Sequence, residues 1–213
     1  MNRIVTAVGL FAATGPASAG AVFFGPGDDP YLSVEDSPFF GFNGLIVENM
    51  EDGFNTAGVL ASAGAVLGPG GTTDSVDADD GVIDGFGSAG SSYFQAAGSV
   101  GITFTFDAGV LGSLPQFAGI VWTDGGGEIT FEAFDGDGNS LGMLTGDHAV
   151  GGFNGGTDED RFYGVQSSGG IGSIHIRNQF GGIEVDHVQF IVPSAPTLPA
   201  LFGAVFATFR RRR

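Results

Sequence analysis

The chain has no cysteine and no lysine. Without cysteine it has no disulfide framework to lean on. Its basic residues are seven arginines, set against 24 acids. Five of the arginines, Arg3, Arg210, Arg211, Arg212 and Arg213, sit at the two ends, and every acid lies between them. The middle therefore carries Arg161 and Arg177 against 24 carboxylates, a formal charge of −22. Such a surface repels nucleic acid and anionic membranes, so no nucleic-acid partner is expected; it favours solubility and cations. Catalytic signatures are missing too. There is no Gly-x-Ser-x-Gly and no His-Glu-x-x-His, and the imidazoles are His148, His175 and His187. Glu128 and Glu132 share a strand face, but four residues at ~3.3 Å hold them roughly 13 Å apart. Paired glycosidase carboxylates stand about 5–9.5 Å apart. A non-catalytic domain is expected. The 40 glycines follow no fixed period, which excludes collagen and solenoid repeats. No amphipathic helix of useful length is present.

What is present is strand. The chain is 42% hydrophobic with 21 phenylalanines, too apolar for a disordered acidic tail. Residues 100–106 alternate strictly, and 128–134 alternate again. Residues 117–123 are apolar on both faces and hold the single tryptophan, Trp122, as a central strand would. Residues 141–145, 161–166, 171–178 and 183–191 add four more, with earlier candidates at 20–24, 44–48 and 91–96. Residues 55–67 fit a short helix or a loop. Residues 20–191 are enough for one domain with a sizeable core. The expected fold class is all-β: a β-sandwich with jelly-roll connectivity, an N-terminal signal helix and a short C-terminal apolar helix.

Candidate sites follow from the carboxylates. Asp77, Asp79, Asp80 and Asp84 fall within eight residues, and Gly81 can turn the chain so that they converge. Calcium takes about six to eight oxygens, which flexible Asp-rich loops supply. The loop is no EF-hand, because the twelfth position from Asp77 is Ser88. A solvated acidic loop is the alternative. Asp186 lies on the parity of Val188 and Phe190 unless a bulge resets the phase, and a carboxylate facing a core must be paired, hydrogen-bonded or metal-bound. It joins the candidate Ca2+ ligands. Asp137 and Asn139 occupy an Asp-Gly-Asp-Gly-Asn hairpin, where turn chemistry explains them better than metal. Trp122 and Asp124 form the candidate ligand site, an aromatic beside a carboxylate suited to sugar. The alternative is a buried tryptophan in a central strand.

The ends are different in kind. Residues 1–19 hold Arg3, an apolar stretch from Ile4 to Thr14 and a small-x-small site at Ala17-Ser18-Ala19, the parts of a secretory signal peptide. Residues 192–213 begin Val192-Pro193, with Pro196 following. They continue through the apolar run 198–209 and end in Arg210, Arg211, Arg212 and Arg213. That run spans roughly 18 Å as a helix, short of a ~30 Å bilayer core, and the arginines resist translocation. A transient stop that is later cut fits better than a permanent anchor. This tail resembles the PEP-CTERM sorting signal of bacterial exosortase systems, with Pro196 one residue later than the family's Val-Pro-x-Pro. The resemblance implies export, transient inner-membrane attachment, and cleavage and release or attachment at the cell surface. The implied partners are signal peptidase, the export machinery and an exosortase-type enzyme. The middle also resembles the jelly-roll, carbohydrate-binding-module-like domains found ahead of such tails, through 102–107, 122–127, 131–141 and 182–186. The expected protein is an exported, non-catalytic cell-surface or extracellular-matrix β-sandwich with polysaccharide as candidate ligand. The alternative is a calcium-stabilised carbohydrate-active enzyme or lectin.

Overall fold

The computed structural model describes residues 20–149 and 155–193. The expected signal peptide, the apolar run 198–209, Pro196 and Arg210, Arg211, Arg212 and Arg213 lie outside these residues. In chain order the strands are β1 (Val22–Phe24), β2 (Leu45–Glu48), β3 (Val59–Ala61), β4 (Ala65–Leu67), β5 (Ser92–Gln95), β6 (Ile102–Phe106), β7 (Phe117–Phe134), β8 (Ser140–Gly146), β9 (Arg161–Gln166) and β10 (Ser173–Ile191). One short helix, α1 (Ala108–Leu111), is capped by Asp107, whose side chain accepts from the Gly109 N–H. No helix among the described residues is long and apolar enough to cross a membrane.

The architecture rests on β7 and β10. These two long strands pair antiparallel from Ser173 opposite Phe134 to Ile191 opposite Phe117. Sequence alternation divides each into two strands, because glycines interrupt both. The structure instead runs each strand on through a bend. Gly125 and Gly127 of β7 and Gly181 of β10 have positive φ, and a Cβ on Gly125 would meet the Asn178 side chain at 2.8 Å. Register shifts fall in the same place, between Asn178 and Ile183.

On one side of the bend the order is β3-β6-β10-β7-β8. On the other, β10 pairs with β5 and β2, while β7 continues through β9 to β1. The halves fold face to face as an all-β sandwich. Phe104, Phe131, Ile174 and Ile176 from the first half share a buried core with Ile120, Trp122, Val165, Val188 and Phe190 from the second. Ring centroids of Phe106 and Phe190 lie 5.4 Å apart, and those of Phe131 and Tyr163 6.0 Å. Residues 55–67 form β3 and β4, correcting the helix-or-loop expectation; Val59 and Leu60 pair with Phe106 and Thr105.

A second core lies on the outer face of the β9-β7-β10 half. Tyr31, Phe39 and Val76, from the long connections after β1 and β4, cover Val121, Phe162 and Ile191. Those connections carry most of the acids that matter below.

Candidate functional site

The site forms where the covering loops meet β10. Val185 pairs with Trp122 and belongs to the inner core; Asp186 pairs with Val121, an outer-core residue. His187 then takes φ +46 within a register irregularity. This extra residue returns Val188 and Phe190 to the inner core and leaves Gln189 and Ile191 outside. Asp186 is fully buried, but not on the face of Val188 and Phe190: the bulge resets the phase.

Glu184 and Asp186 act as a substitute strand edge for the loop above. The Asp74 N–H donates to Glu184 Oε2 at 2.8 Å, and the Val76 N–H donates to Asp186 Oδ2 at 3.0 Å. Donors and acceptors are both two residues apart, as a ladder requires. The Ser92 hydroxyl adds a bond to Glu184 Oε2 at 2.6 Å. Burial raises the Glu184 pKa, and hydrogen bonds from Ser92 and Asp74 oppose it. Asp186 is held well above the carboxylate range, by burial first and then by the charge of Asp79.

Asp79, Asp186 and His187 form a group whose potential metal-ligating atoms all lie within 4.8 Å. Hydrogen bonds already close most of it. Ser37 donates to Gln189 Oε1 and Gln189 Nε2 to Tyr31 Oη. That leaves the Tyr31 proton for His187 Nδ1, 3.2 Å away, and the remaining ring proton on Nε2, 2.9 Å from Asp79 Oδ1. Burial pushes the Tyr31 phenol up, keeping that proton in place.

Beside this network lies a nest of buried acids. Asp160 is 0% exposed and Asp74 1%. Neither carboxylate of the pair accepts any hydrogen bond among the described residues. Burial is the largest cause of both raised pKa values, Asp74 reaching about 9 and Asp160 going well above the usual range. The next cause for Asp74 is Asp124, and for Asp160 it is Asp74. Asp124 itself is raised to about 7, again by burial first.

The expected loop ligands fare differently. Asp77 accepts from the N–H groups of Asp84 and Gly85 and from the Thr157 hydroxyl, at 2.8–2.9 Å. Asp80 accepts from Val82 N–H and Asp84 from Phe86 N–H. The expected convergence of Asp77, Asp79, Asp80 and Asp84 is therefore corrected. Among the described residues, Asp79 alone of these four enters the compact potential metal-ligating group, with Asp186 and His187. Three carboxylates of the acidic loop serve instead as local acceptors that fold it. Asp74, Asp160 and Glu184 escape sequence reasoning because tertiary folding alone brings them together.

Trp122 is 0% exposed in the inner core, with its ring edge-on to His148 at 5.0 Å. Its expected role as a ligand platform is corrected, since no face of the indole is open. Asp124 does reach a cavity, of about 360 Å³, lined with Leu67, Thr72, Phe94, Ile183 and Glu184. The Asp135 carboxylate accepts from Asp137 and Asn139 N–H groups, so that hairpin is turn chemistry. Of the residues expected to form the sorting signal, Val192 packs against the inner core and Pro193 is exposed.

No protein-family model matches the chain, and no curated protein matches it. Among solved structures, the K1 cleaved adhesin domain of Lys-gingipain from Porphyromonas gingivalis W83 is similar at a TM-score of 0.44 and 13% identity, over 70% of this chain and 99% of that one.

Proposed function

We propose that this is an exported, non-catalytic protein of the cell surface or extracellular matrix, and that its β-sandwich binds polysaccharide. The observation that carries the binding reading is the cavity between β4, β5, β7 and β10. Phe94 supplies an apolar wall, and Asp124 and Glu184 supply buried carboxylates, the mixture of apolar surface and a few polar groups that ligand sites use. Export is supported by the signal-peptide pattern of residues 1–19 and by the tail, whose resemblance to an exosortase-sorted signal implies signal peptidase and a sorting enzyme as partners. The formal charge of −22 in the middle suits a soluble exported domain. Polysaccharide binding is tested by a glycan array of the purified chain beside Phe94→Ala and Asp124→Asn. Binding lost in both variants supports the cavity. Binding unchanged in both removes it.

A second reading, a carbohydrate-active enzyme, is favoured by one observation: two carboxylates, Asp124 and Glu184, line the same cavity. Glu184 already accepts two hydrogen bonds that hold the fold. Release of reducing sugar from a bound polysaccharide, abolished by Asp124→Asn, would favour this reading over the first.

A further inference from the structure

Arg161 follows Asp160 directly and is the nearest arginine in the chain. It does not pair with that carboxylate. Its guanidinium donates to four backbone carbonyls, those of Gly27, Asp28, Asp158 and Asp160, at 2.8–3.1 Å. The Asp160 side chain is left buried with both oxygens unpartnered among the described residues, and Asp74 is in the same condition. An ionised carboxylate offers about four acceptor sites. Burying one without partners is among the costliest things a fold can do. Here the cost compounds, because Asp77, Glu159 and Asp186 add negative charge around Asp160, and Asp124 and Glu184 add it around Asp74.

Two remedies exist. A proton on either acid would need an acceptor for its O–H, and neither carboxyl group has a hydrogen-bond partner among the described residues. A cation needs no acceptor and takes up charge from both. The donors are hard oxygens, without sulfur or nitrogen, which suits calcium rather than zinc. The His187 group differs on both counts: it contains an imidazole, and hydrogen bonds already engage it.

We propose that Asp74 and Asp160 are the carboxylate ligands of a calcium ion. The ion ties the loop before β5 to the segment before β9, at the place where the outer cover of the sandwich closes. Protein contacts join these segments there: Gly87 N–H donates to Gly155 O and the Thr157 hydroxyl to Asp77; Tyr31 N–H, from the connection after β1, donates to Asp160 O. In a chain without cysteine, such an ion does the stapling that a disulfide would do. The inference is independent of polysaccharide binding.

Calorimetric titration of the full chain with calcium chloride, after chelation, tests it together with thermal unfolding in calcium, magnesium and chelator at matched ionic strength. The parent should take up calcium with a defined stoichiometry and unfold at a higher midpoint in calcium than in magnesium. Asp74→Asn and Asp160→Asn should each lower the affinity by about tenfold or more, as loss of groups at a metal site does. In chelator both variants should still unfold in a single cooperative transition; that readout separates ligand loss from misfolding. Asp80→Asn and Asp79→Asn should keep the response. No heat and no shift in the parent, an equal effect of magnesium, or a response that survives Asp160→Asn and disappears with Asp79→Asn would overturn the assignment.

Discussion

The backbone N–H of Val76 donates to Oδ2 of Asp186 across 110 residues of sequence. The partner oxygen, Oδ1, accepts from His187 N–H at 2.6 Å. Asp186→Ala leaves two buried donors without acceptors, at about 1–3 kcal/mol each. The loss is partly offset because Asp79 no longer faces a like charge. The expected net destabilisation is about 2–4 kcal/mol, read as a shift in the urea midpoint. Asp186→Asn keeps an acceptor oxygen and drops the charge, so it should cost clearly less. Equal effects of the two variants would show that the acceptor role is not what matters.

How much of this was legible beforehand varies with the range of the interaction. Alternation located β6, because side-chain period is local. It divided β7 and β10 at their glycines, because glycine breaks a pattern whether a strand ends there or bends. Asp186 could be placed in a buried setting, but the φ of His187 that chooses its face is set by packing. Four aspartates close in sequence looked like one site, yet short polar side chains satisfy their own loop's N–H groups first. The pair without side-chain partners among the described residues, Asp74 and Asp160, is separated by 86 positions and carries no local signal.

Trp122 gives an optical check on the core. A fully buried indole should emit at short wavelength, resist quenching by iodide and ignore added polysaccharide. Trp122→Ala should cost about 3–5 kcal/mol, the range for an aromatic deleted from a core. Red-shifted emission that moves on glycan addition would restore the tryptophan as a contact residue.

Gly87 sits where its neighbour leaves no room. A Cβ there would fall 1.9 Å from the carbonyl oxygen of Ser75, a backbone atom that cannot swing aside. The Gly87 carbonyl also accepts from the Ser75 N–H and hydroxyl, and its N–H donates to Gly155. Gly87→Ala should therefore destabilise by about 1–3 kcal/mol. It should also speed amide exchange across residues 74–77, beside the proposed calcium ligands. If exchange there is unchanged while global stability falls, the loop and the Gly87 turn are not coupled as described.

His148 supplies a pH dependence with a defined sign. Its Nε2 lies 2.7 Å from Tyr163 Oη, and its ring packs edge-on to Trp122. Burial, and then the positive charge of Arg161, push its pKa from 6.5 to about 4. The folded chain keeps the ring neutral while the unfolded chain takes up a proton below 6.5. The unfolded state then binds more protons, so this group's contribution is fully present above about pH 6.5 and drains away as pH falls towards 4. Buried carboxylates work in the opposite direction. Asp124, raised to about 7, is protonated more readily in the fold than in the unfolded chain, so its contribution grows as pH falls. The parent's pH profile is therefore a sum of opposed slopes, and His148 is isolated only by difference. His148→Gln keeps a polar side chain and removes the titration. Urea midpoints of the two proteins, measured in chelator from about pH 8 to about pH 4.5, should converge as pH falls, with the variant losing its disadvantage below about pH 6.5. A gap that stays constant over that range would mean that His148 is not held neutral by the fold.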